Sequence, residues 1–200
     1  MNAAQIELVT SEVIRLYELH GAEDYIGEPV SQLEHMGQSA QLAEREGYDQ
    51  EVILAAFLHD IGHLFAGSES SPGSQYASMD GYGVVSHEKI GANYLRSRGF
   101  SERLAQLVEN HVQAKRYLTF RSPAYYDQLS EASKRTLEFQ GGRMTSEEAA
   151  DFEQNPLFEV SIRMRMWDEL AKEEQVPPVD LAVFREKIAR HLAGQGKAAG

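Results

Sequence analysis

Five of the seven histidines in this chain of 200 residues stand beside apolar residues in segments of helical pattern. They are His35, His59, His63, His87 and His111. Asp60 directly follows His59, near the end of a strongly apolar stretch. A buried carboxylate is destabilising unless it is paired or bound to a metal, and five separate imidazoles would need five separate partners. One metal centre would satisfy all of these side chains together, so their types and positions predict a metal site.

The ligand types narrow the choice of metal without settling it. Imidazole and carboxylate ligands suit iron, manganese or zinc. The chain contains no cysteine, which excludes thiolate ligands, disulfide bonds and a cysteine nucleophile. His20 and His191 lack the context of the other five histidines, and we expect them to be ordinary surface or helix-end residues.

Helices must position these side chains, because apolar residues recur at spacings of three and four along almost the whole chain. Ser31 with Glu34 and Thr145 with Glu148 have the pattern of capping boxes, and Asp49 is a further N-cap. No segment has a convincing strand pattern, so the predicted fold class is all-α, with one domain over residues 1–200. We predict helices over residues 6–20, 32–46, 51–64, 86–98, 102–115, 130–140, 156–173 and 181–192, another after 145, and irregular chain over 119–129.

Two segments depart from this helical pattern. Glycine, serine and proline dominate residues 67–74, and we predict a long loop or insertion near 65–82. Long loops in compact domains are usually functional or mobile, so this loop is expected to lie over a site. The tail, residues 194–200, is small and polar and is expected to fray.

Composition excludes several classes of partner. Acidic residues outnumber basic ones by 31 to 19, and the net charge of −12 repels nucleic-acid backbones. No apolar run approaches the roughly 18 residues of a membrane span, and the N-terminus lacks the features of a signal peptide. We expect a cytoplasmic protein that acts on a small molecule, with no nucleic-acid or membrane partner. The sequence leaves the oligomeric state open.

The order of the candidate ligands along the chain resembles that of the HD-domain superfamily, in which helices converge on one or two metals. The resemblance implies an HD-domain helical bundle with the metal site between its central helices. The ligands that it implies for one ion are His35, His59, Asp60 and Asp168. Those implied for a second ion are Asp60, His87 and His111, with the Asp60 carboxylate bridging the two.

The ligands alone do not separate the two chemistries of this superfamily. Most members are phosphohydrolases, whose metals activate water, while a smaller branch uses a mixed-valent diiron pair and dioxygen. Stretches outside the ligands resemble the organophosphonate-cleaving oxygenases of that branch over residues 24–168, although the segment 65–80 is longer here than in the typical member. These stretches are DYIGE (24–28), SQLEH (31–35), GYGV (81–84), HEK (87–89), GANYL (91–95), HVQAKRYL (111–118), SEAS (130–133), LEFQGG (137–142) and RMRMWD (163–168).

The same resemblance implies a set of substrate-binding residues. A phosphonate dianion needs cations and hydrogen-bond donors around it, and each charged candidate here shares a helix face with a candidate ligand. The residues implied to clasp the phosphonate are His63, Lys115, Ser133 and Arg165. Tyr25 is implied to occupy an iron position until substrate displaces it, and Glu28 to face a cationic nitrogen of the substrate. Tyr25, Glu28 and His63 are therefore expected to take part in catalysis.

The resemblance implies a non-haem diiron oxygenase that uses two iron ions, Fe(II)/Fe(III), with O2 as co-substrate and neither an organic cofactor nor an external reductant. It would cleave the C–P bond of a 1-hydroxy-2-ammonioethylphosphonate to inorganic phosphate and a carboxylate. That carboxylate is glycine betaine for a trimethylated nitrogen and glycine for a free amine. The long loop with Tyr76 and Tyr82 favours the trimethylammonium substrate, because a quaternary ammonium prefers aromatic faces and a carboxylate.

One other class of function remains an alternative to the oxygenase, and a second class is not expected. The alternative to the oxygenase is an HD-domain, metal-dependent phosphohydrolase that acts on a nucleotide or a small phosphoester. A binding module that has lost its activity is not expected, because no candidate ligand is missing.

Overall fold

Helices make up most of the chain in this computed structural model, which describes residues 1–25, 27–68 and 76–195. Within those ranges the only extended pairings are two isolated bridges, Asp24 with Ser31 and Ser78 with Val84. The predicted all-α fold class is therefore confirmed. The helices are α1 (Ala3–His20), α2 (Gln32–Arg45), α3 (Gln50–Leu58), α4 (Ile61–Gly67), α5 (His87–Ser97), α6 (Glu102–Arg121), α7 (Pro123–Gln128), α8 (Glu131–Phe139), α9 (Ser146–Glu153), α10 (Phe158–Leu170) and α11 (Leu181–Gln195).

Polar side chains begin several of these helices where the sequence predicts them. Ser31 Oγ accepts a hydrogen bond from the backbone N–H of Glu34, and the Glu34 carboxylate bonds back to the N–H of Ser31. Thr145 and Glu148 form the same reciprocal pair at α9. Asp49 Oδ1 accepts from two backbone N–H groups of the first turn of α3. Each cap satisfies N–H groups that a helix otherwise leaves unpaired, which is why these starts could be predicted.

The predicted helix over residues 51–64 is wrong, because the chain breaks at His59 and Asp60. Helix α3 ends at Leu58, and α4 starts at Ile61 after Asp60 adopts φ −103° and ψ 11°. Consecutive residues of an α-helix point about 100° apart, so an unbroken helix could not aim both His59 and Asp60 at one point. The break brings both side chains to the same place.

Three other predicted boundaries are also wrong. Helix α6 continues to Arg121 and α7 occupies Pro123–Gln128, so residues 119–129 are largely helical. The extra turns of α6 are held by apolar packing of Tyr117 against Phe152 of α9 and Phe158 of α10. Helix α10 begins at Phe158, two residues after the predicted start, because the Asn155 side chain caps the N–H of Leu157 in a preceding turn.

The long loop and the tail differ in part from their predictions. Helix α4 extends to Gly67, which shortens the loop, and residues 69–75 of that loop lie outside the described residues. The bridge between Ser78 and Val84 folds its far end back on itself. Gly194 and Gln195 belong to α11 rather than to a frayed tail, and residues 196–200 lie outside the described residues.

One apolar core joins both ends of the chain to its middle. It contains buried residues of α1, α2, α3, α4, α5, α6, α10 and α11. The α1 residue Tyr17 stacks on Phe57 of α3 and donates its hydroxyl to the Phe57 carbonyl at 2.6 Å, and Trp167 of α10 is fully buried. None of the helices in the described part of the chain combines the length and apolar character that crossing a bilayer requires.

Helices α4 and α5 approach so closely that only glycine fits between them. A Cβ atom added at Gly62 would lie 2.0 Å from the carbonyl oxygen of His87 and 2.9 Å from the nitrogen of Gly91. This contact sets the distance from α4 to the first turn of α5, where His87 lies.

Candidate metal centre and adjoining cavity

Two histidines and an aspartate from three helices converge on one side of the centre. His35 of α2 and His59 at the end of α3 place their Nε2 atoms 3.1 Å apart. Asp168 of α10 brings Oδ1 to 3.3 Å from the Nε2 atom of His35 and 3.9 Å from that of His59. All three residues are buried, so the three ligand atoms face one another without solvent.

A second pair of histidines faces the first across Asp60. The Nε2 atoms of His87, from α5, and His111, from α6, are also 3.1 Å apart. Asp60 Oδ1 lies 3.3 Å from His87 Nε2 and 3.5 Å from His111 Nε2, while Oδ2 lies 3.5 Å from His59 Nε2. The carboxylate therefore presents one oxygen to each pair of histidines, which is the arrangement of a bridging ligand.

Hydrogen bonds on the outer face of the rings show which nitrogens can bind a cation. The Nδ1 atoms of His35, His59 and His111 lie 2.9, 2.8 and 2.6 Å from the backbone carbonyls of Ala171, Ala56 and Val108. A carbonyl accepts only, so each Nδ1 donates and the neutral ring keeps a lone pair on Nε2. Outer partners of this kind are the rule for metal-binding histidines.

The first pair of histidines fits a metal ion. Two Nε2 lone pairs that face each other at 3.1 Å, as in His35 and His59, repel unless a cation lies between them. Two nitrogens bound at about 2.1 Å to one metal, at about a right angle, stand about 3 Å apart. Asp168 Oδ1 is buried beside this pair, with no hydrogen-bond partner in the described part of the chain. The residues present thus suit a cation.

His87 differs from the other three in its outer contact. Its Nδ1 has no hydrogen-bond partner among the described residues, and the buried Glu88 carboxylate lies 3.9 Å away with an oxygen that is also unpartnered. The nearest group to the outer face of this ring is therefore a carboxylate instead of a backbone carbonyl.

The two aspartates remain ionised because of their cationic or donor neighbours. Burial alone would raise the pKa of Asp60, but positive charge on the protonated His59 and a hydrogen bond from the protonated His87 would hold it well below its usual range; with neutral rings, a bound cation would take that place. Burial would likewise raise the pKa of Asp168, and the positive charge of Arg165 holds it well below its usual range. Burial lowers the pKa of His111 to about 3, so that ring is neutral and free to act as a ligand.

His63 faces the same centre but in a different role. The backbone N–H of Val84 donates to its Nδ1 at 3.2 Å, and its ring stacks on that of His87 at 4.0 Å. Because Nδ1 accepts, the proton of the neutral ring lies on Nε2. Burial lowers the pKa of His63 to about 3, which keeps the ring neutral. The ring therefore offers an N–H donor, although its atoms lie close enough to Asp60 and His87 to complete a three-residue metal group.

The structure brings Lys115, Arg165 and Ser133 together on the wall of the adjoining cavity. The Arg165 guanidinium contacts Asp168 and Glu169 and donates to Ser133 Oγ at 3.1 Å. Lys115 Nζ donates to Thr136 Oγ1 at 2.7 Å and to Gln140 Oε1 at 3.0 Å, both near α8. Burial first, and then Arg165, lower the pKa of Lys115 well below its usual range. An anion bound here would relieve the repulsion between two buried cations.

Tyr25 packs directly against the candidate ligand His35. Its ring stacks on that of His35 with centroids 3.8 Å apart and planes 10° apart. Burial, with Asp168 close by, raises the pKa of the Tyr25 phenol well above its usual value, so the hydroxyl is neutral here. The backbone N–H of Glu28 donates to the Tyr25 carbonyl at 2.9 Å, which places Glu28 in the same turn.

Glu28 has a cationic partner that the sequence reasoning missed. Lys172 Nζ donates to Glu28 Oε1 at 2.9 Å, and both side chains line the cavity. Lys172 stands four residues after Asp168, a spacing that would have indicated a shared helix face. Tyr125, which accepts a hydrogen bond from Arg165 Nε at 2.9 Å, was missed because its segment was predicted to be irregular.

The cavity beside the centre encloses about 200 Å³. Its lining includes the residues implied to clasp the phosphonate, which are His63, Lys115, Ser133 and Arg165, and also Tyr25 and Glu28. Tyr82 of the long loop lines it, as do Met79 and Val84. Tyr76 is exposed and is not part of the lining, so only one of the two loop tyrosines reaches the cavity. Glu23, Asp24 and Glu28 belong to the lining as well.

His20 and His191 lie away from the centre. His20 pairs with Glu23 at 2.7 Å, and His191 accepts from the backbone N–H of Ser101 at 3.2 Å while its ring packs on Phe100. Both occupy helix-end or core-edge positions.

Comparison with known proteins gives a family and several relatives. The sequence model of the HD domain matches residues 33–152. The chain is 42% identical over 194 residues to an uncharacterized protein of Acanthamoeba polyphaga mimivirus, covering 96% of this chain and 85% of the relative. It is 40% identical over 175 residues, 88% of this chain and 86% of the relative, to the [1-hydroxy-2-(trimethylamino)ethyl]phosphonate dioxygenase (glycine-betaine-forming) of Leisingera caerulea. It is 38% identical over 182 residues, 91% and 87% of the two chains, to the hydroxymethylphosphonate dioxygenase of Gimesia maris.

Proposed function

The chain belongs to the HD-domain family, and we propose that it is a dioxygenase that cleaves the C–P bond of a 1-hydroxyphosphonate. The products are inorganic phosphate and the carboxylate of the remaining carbon skeleton. One O2 supplies the two oxygen atoms that the products gain, and the four electrons come from the substrate, so the reaction needs no external reductant. Two relatives named as phosphonate dioxygenases, aligned over most of this chain, support the class of reaction.

The observation that carries this proposal is a cluster of candidate ligands in two groups, which lies next to positively charged side chains on the cavity wall. Asp60 lies between two histidine pairs, and Lys115 and Arg165 face the cavity beside them. We assign the six ligands to two iron ions, in the Fe(II)/Fe(III) state, because imidazole and carboxylate donors suit iron. When bound, the ions supply the redox chemistry that brings dioxygen to the substrate.

The residues of the wall are proposed to hold the phosphonate. Arg165 offers a guanidinium beside the Ser133 hydroxyl, and Lys115 adds an ammonium group. His63 can donate from Nε2, because its Nδ1 already accepts from Val84. Tyr25, stacked on His35, is proposed to cover the first metal position until substrate enters, and its neutral phenol can donate a hydrogen bond to a substrate oxygen.

Acidic side chains of the cavity lining favour a cationic substituent. Glu23, Asp24 and Glu28 belong to this lining, and Lys172 pairs with Glu28. With Tyr82 and Tyr25 nearby, a trimethylammonium group would find carboxylates and aromatic faces. We therefore propose the trimethylammonium substrate, with glycine betaine as product, in agreement with the name of the Leisingera relative. A free amine would give glycine.

A hydroxyphosphonate without a cationic substituent is the second candidate. The relative from Gimesia maris is named for hydroxymethylphosphonate, which carries no nitrogen. The pairing of Glu28 with Lys172 favours such a substrate, because the paired carboxylate has its charge compensated already.

Oxygen dependence separates the oxygenase from an HD-domain phosphohydrolase. Purified, iron-loaded protein is incubated with each hydroxyphosphonate and with a panel of phosphoesters, with and without O2, and phosphate release is followed. We expect release from the hydroxyphosphonates only with O2, one O2 consumed per phosphate, and a coupled diiron signal in the electron paramagnetic resonance spectrum after partial reduction. Phosphate release from phosphoesters in the absence of O2 would contradict the proposal.

A further inference from the structure

Lys172 lines the cavity beside Glu28, the carboxylate that is proposed to meet a cationic substituent of the substrate. Its Nζ is 2.9 Å from Glu28 Oε1 and 3.4 Å from Glu169 Oε2. The side chains of Lys172 and Glu28 are only 15% and 12% exposed. Ions that are shielded from water interact more strongly than those on a surface, so the charge of Lys172 cancels much of the charge of Glu28.

The position of Lys172 is tied to the metal centre through the backbone. Lys172 follows Ala171, whose carbonyl lies 2.9 Å from Nδ1 of the candidate ligand His35. Its backbone N–H donates to the carbonyl of Leu170 at 2.9 Å, which holds the chain in the last turn after α10. The ammonium group therefore starts from an anchored backbone and points at Glu28.

A cationic substituent and Lys172 would compete for the same carboxylate. A substrate cation that approaches Glu28 also approaches Lys172, and two like charges close together in a partly buried site repel. A neutral substituent meets no such repulsion. The pKa of Lys115 is lowered by burial, then by Arg165, and further by Lys172, which indicates that the Lys172 charge extends into the cavity.

We propose that Lys172 is a specificity-determining residue, which neutralises Glu28 and so reduces the preference of the cavity for hydroxyphosphonates with a cationic substituent over those with an uncharged one. The inference rests on the proposed function for its substrates. It assigns opposite effects to the two partners of one ion pair: Glu28 favours a cation, and Lys172 opposes it.

The test compares substrate preference in four proteins. The kcat/KM values for [1-hydroxy-2-(trimethylamino)ethyl]phosphonate and for hydroxymethylphosphonate are measured for wild type, Lys172→Met, Lys172→Arg and Glu28→Gln. In Lys172→Met the ratio of kcat/KM for the trimethylammonium substrate to kcat/KM for hydroxymethylphosphonate should rise by about tenfold, through a lower KM for the trimethylammonium substrate. Lys172→Arg, which keeps the charge, should restore the wild-type ratio. Glu28→Gln should lower it.

A purely structural role of the pair gives a different pattern. If the ion pair only held Glu28 in its backbone contact with Tyr25, then Lys172→Met and Glu28→Gln would change the ratio in the same direction, and that result would overturn the proposal. Lys187→Met is the matched control, because Lys187 pairs with Glu44 and Gln50 outside the cavity. In Lys187→Met, the ratio of the kcat/KM values for the two substrates should equal that of wild type.

A binding measurement distinguishes failure of this inference from failure of the proposed function. Choline carries the quaternary nitrogen without a phosphonate, and its binding can be followed by the rise in unfolding temperature without turnover. Lys172→Met should respond to lower choline concentrations than wild type. If neither phosphonate is turned over but choline binds more tightly to the variant, the proposed reaction is wrong and the role of Lys172 stands. Equal responses to choline would overturn the role of Lys172.

Discussion

The carboxylate of Asp60 presents a different oxygen to each pair of histidines. Oδ2 faces His59 at 3.5 Å, and Oδ1 faces His87 at 3.3 Å. No other residue of the cluster reaches both pairs in this way among the described contacts. At the scale of single residues, the two halves of the proposed centre therefore depend on one side chain.

Replacing Asp60 by asparagine should remove metal as well as activity. Asparagine keeps the shape but has one carbonyl oxygen, so it can serve one ion at most and turns an amide N–H2 toward the other. We expect the iron content to fall by at least one ion per chain and C–P cleavage to be lost. Metal analysis and phosphate release measure the two effects. Asp151→Asn, an exposed substitution on α9, is the control, and unchanged iron in Asp60→Asn would refute the ligand assignment.

Lys115 is expected to act on substrate binding without affecting the metal. In Lys115→Met the methionine fills the space of the buried stem, while the contacts to Thr136 and Gln140 and the positive charge are lost. A charge-assisted contact contributes about 1.5–3 kcal/mol, so KM should rise about ten- to a hundredfold. Lys134→Met, at a more exposed position of α8 that pairs with Glu131, should leave KM unchanged. If iron is lost along with binding, Lys115 supports the centre and not the phosphonate.

At the scale of helices, the break between α3 and α4 and the contact between α4 and α5 position the centre. The break aims His59 and Asp60 at one point, and the glycine contact brings the His87 backbone against α4. Neither feature depends on a ligand side chain. Both can therefore be tested by substitutions that leave every candidate ligand in place.

Gly62→Ala should disrupt the candidate metal centre, although Gly62 is not itself a candidate ligand. The added Cβ would lie 2.0 Å from the carbonyl oxygen of His87, so α5 must move away and take His87 with it. We expect weaker metal binding and a loss of at least about 2 kcal/mol of unfolding free energy, comparable to an overpacked core. Metal titration and denaturant unfolding measure these effects.

Gly67→Ala is the matched control, since Gly67 lies on the same helix and no atom of the described residues comes within 4 Å of its added Cβ. Alanine is favoured over glycine in a helix by about 0.5–1 kcal/mol, so this variant should bind metal normally and be as stable as wild type or more so. If Gly62→Ala behaved like Gly67→Ala, the packing argument would be wrong.

At the scale of the whole molecule, helices from distant parts of the chain share one core and enclose one site. The ends of the chain, α1 and α11, pack against the same core that supports the ligand helices. Ion pairs tie its surface together, and one of them links the start of α3 to α6: Arg103 contacts both Asp49 and Glu51.

Because of the ion pair between Asp49 and Arg103, the free energy of unfolding should depend on pH in the acidic range. The hydrogen bond from Arg103 is the main cause of the lowered pKa of Asp49 in the folded protein. A group whose pKa is lower when folded stabilises the fold above its unfolded pKa, and this contribution is lost as the pH falls through the folded pKa. Between pH 6 and pH 3, Asp49→Asn should therefore lose less unfolding free energy than wild type. Asparagine remains a good N-cap, so α3 should keep its start, and identical acid dependence would exclude this role of Asp49.

The sequence alone determined features that depend on local chemistry. The capping pairs at Ser31 and Thr145 and the cap at Asp49 fixed where three helices begin, because each bond spans two or three residues. The types of the six candidate ligands and their HD-like order predicted a thiolate-free metal site, and their family was identifiable before any distance was known. The acidic charge of the chain likewise follows from composition.

Only the tertiary structure decided features that depend on residues far apart in the sequence. The helix break at His59 and Asp60 contains neither glycine nor proline, so the residue types at these two positions do not predict it. The continuation of α6 to Arg121 depends on aromatic contacts with α9 and α10. Glu28 and Lys172 are separated by 144 positions, so no local pattern could show that the carboxylate expected to meet a substrate already has a cation beside it. Such long-range contacts form only when the shared core brings the helices together.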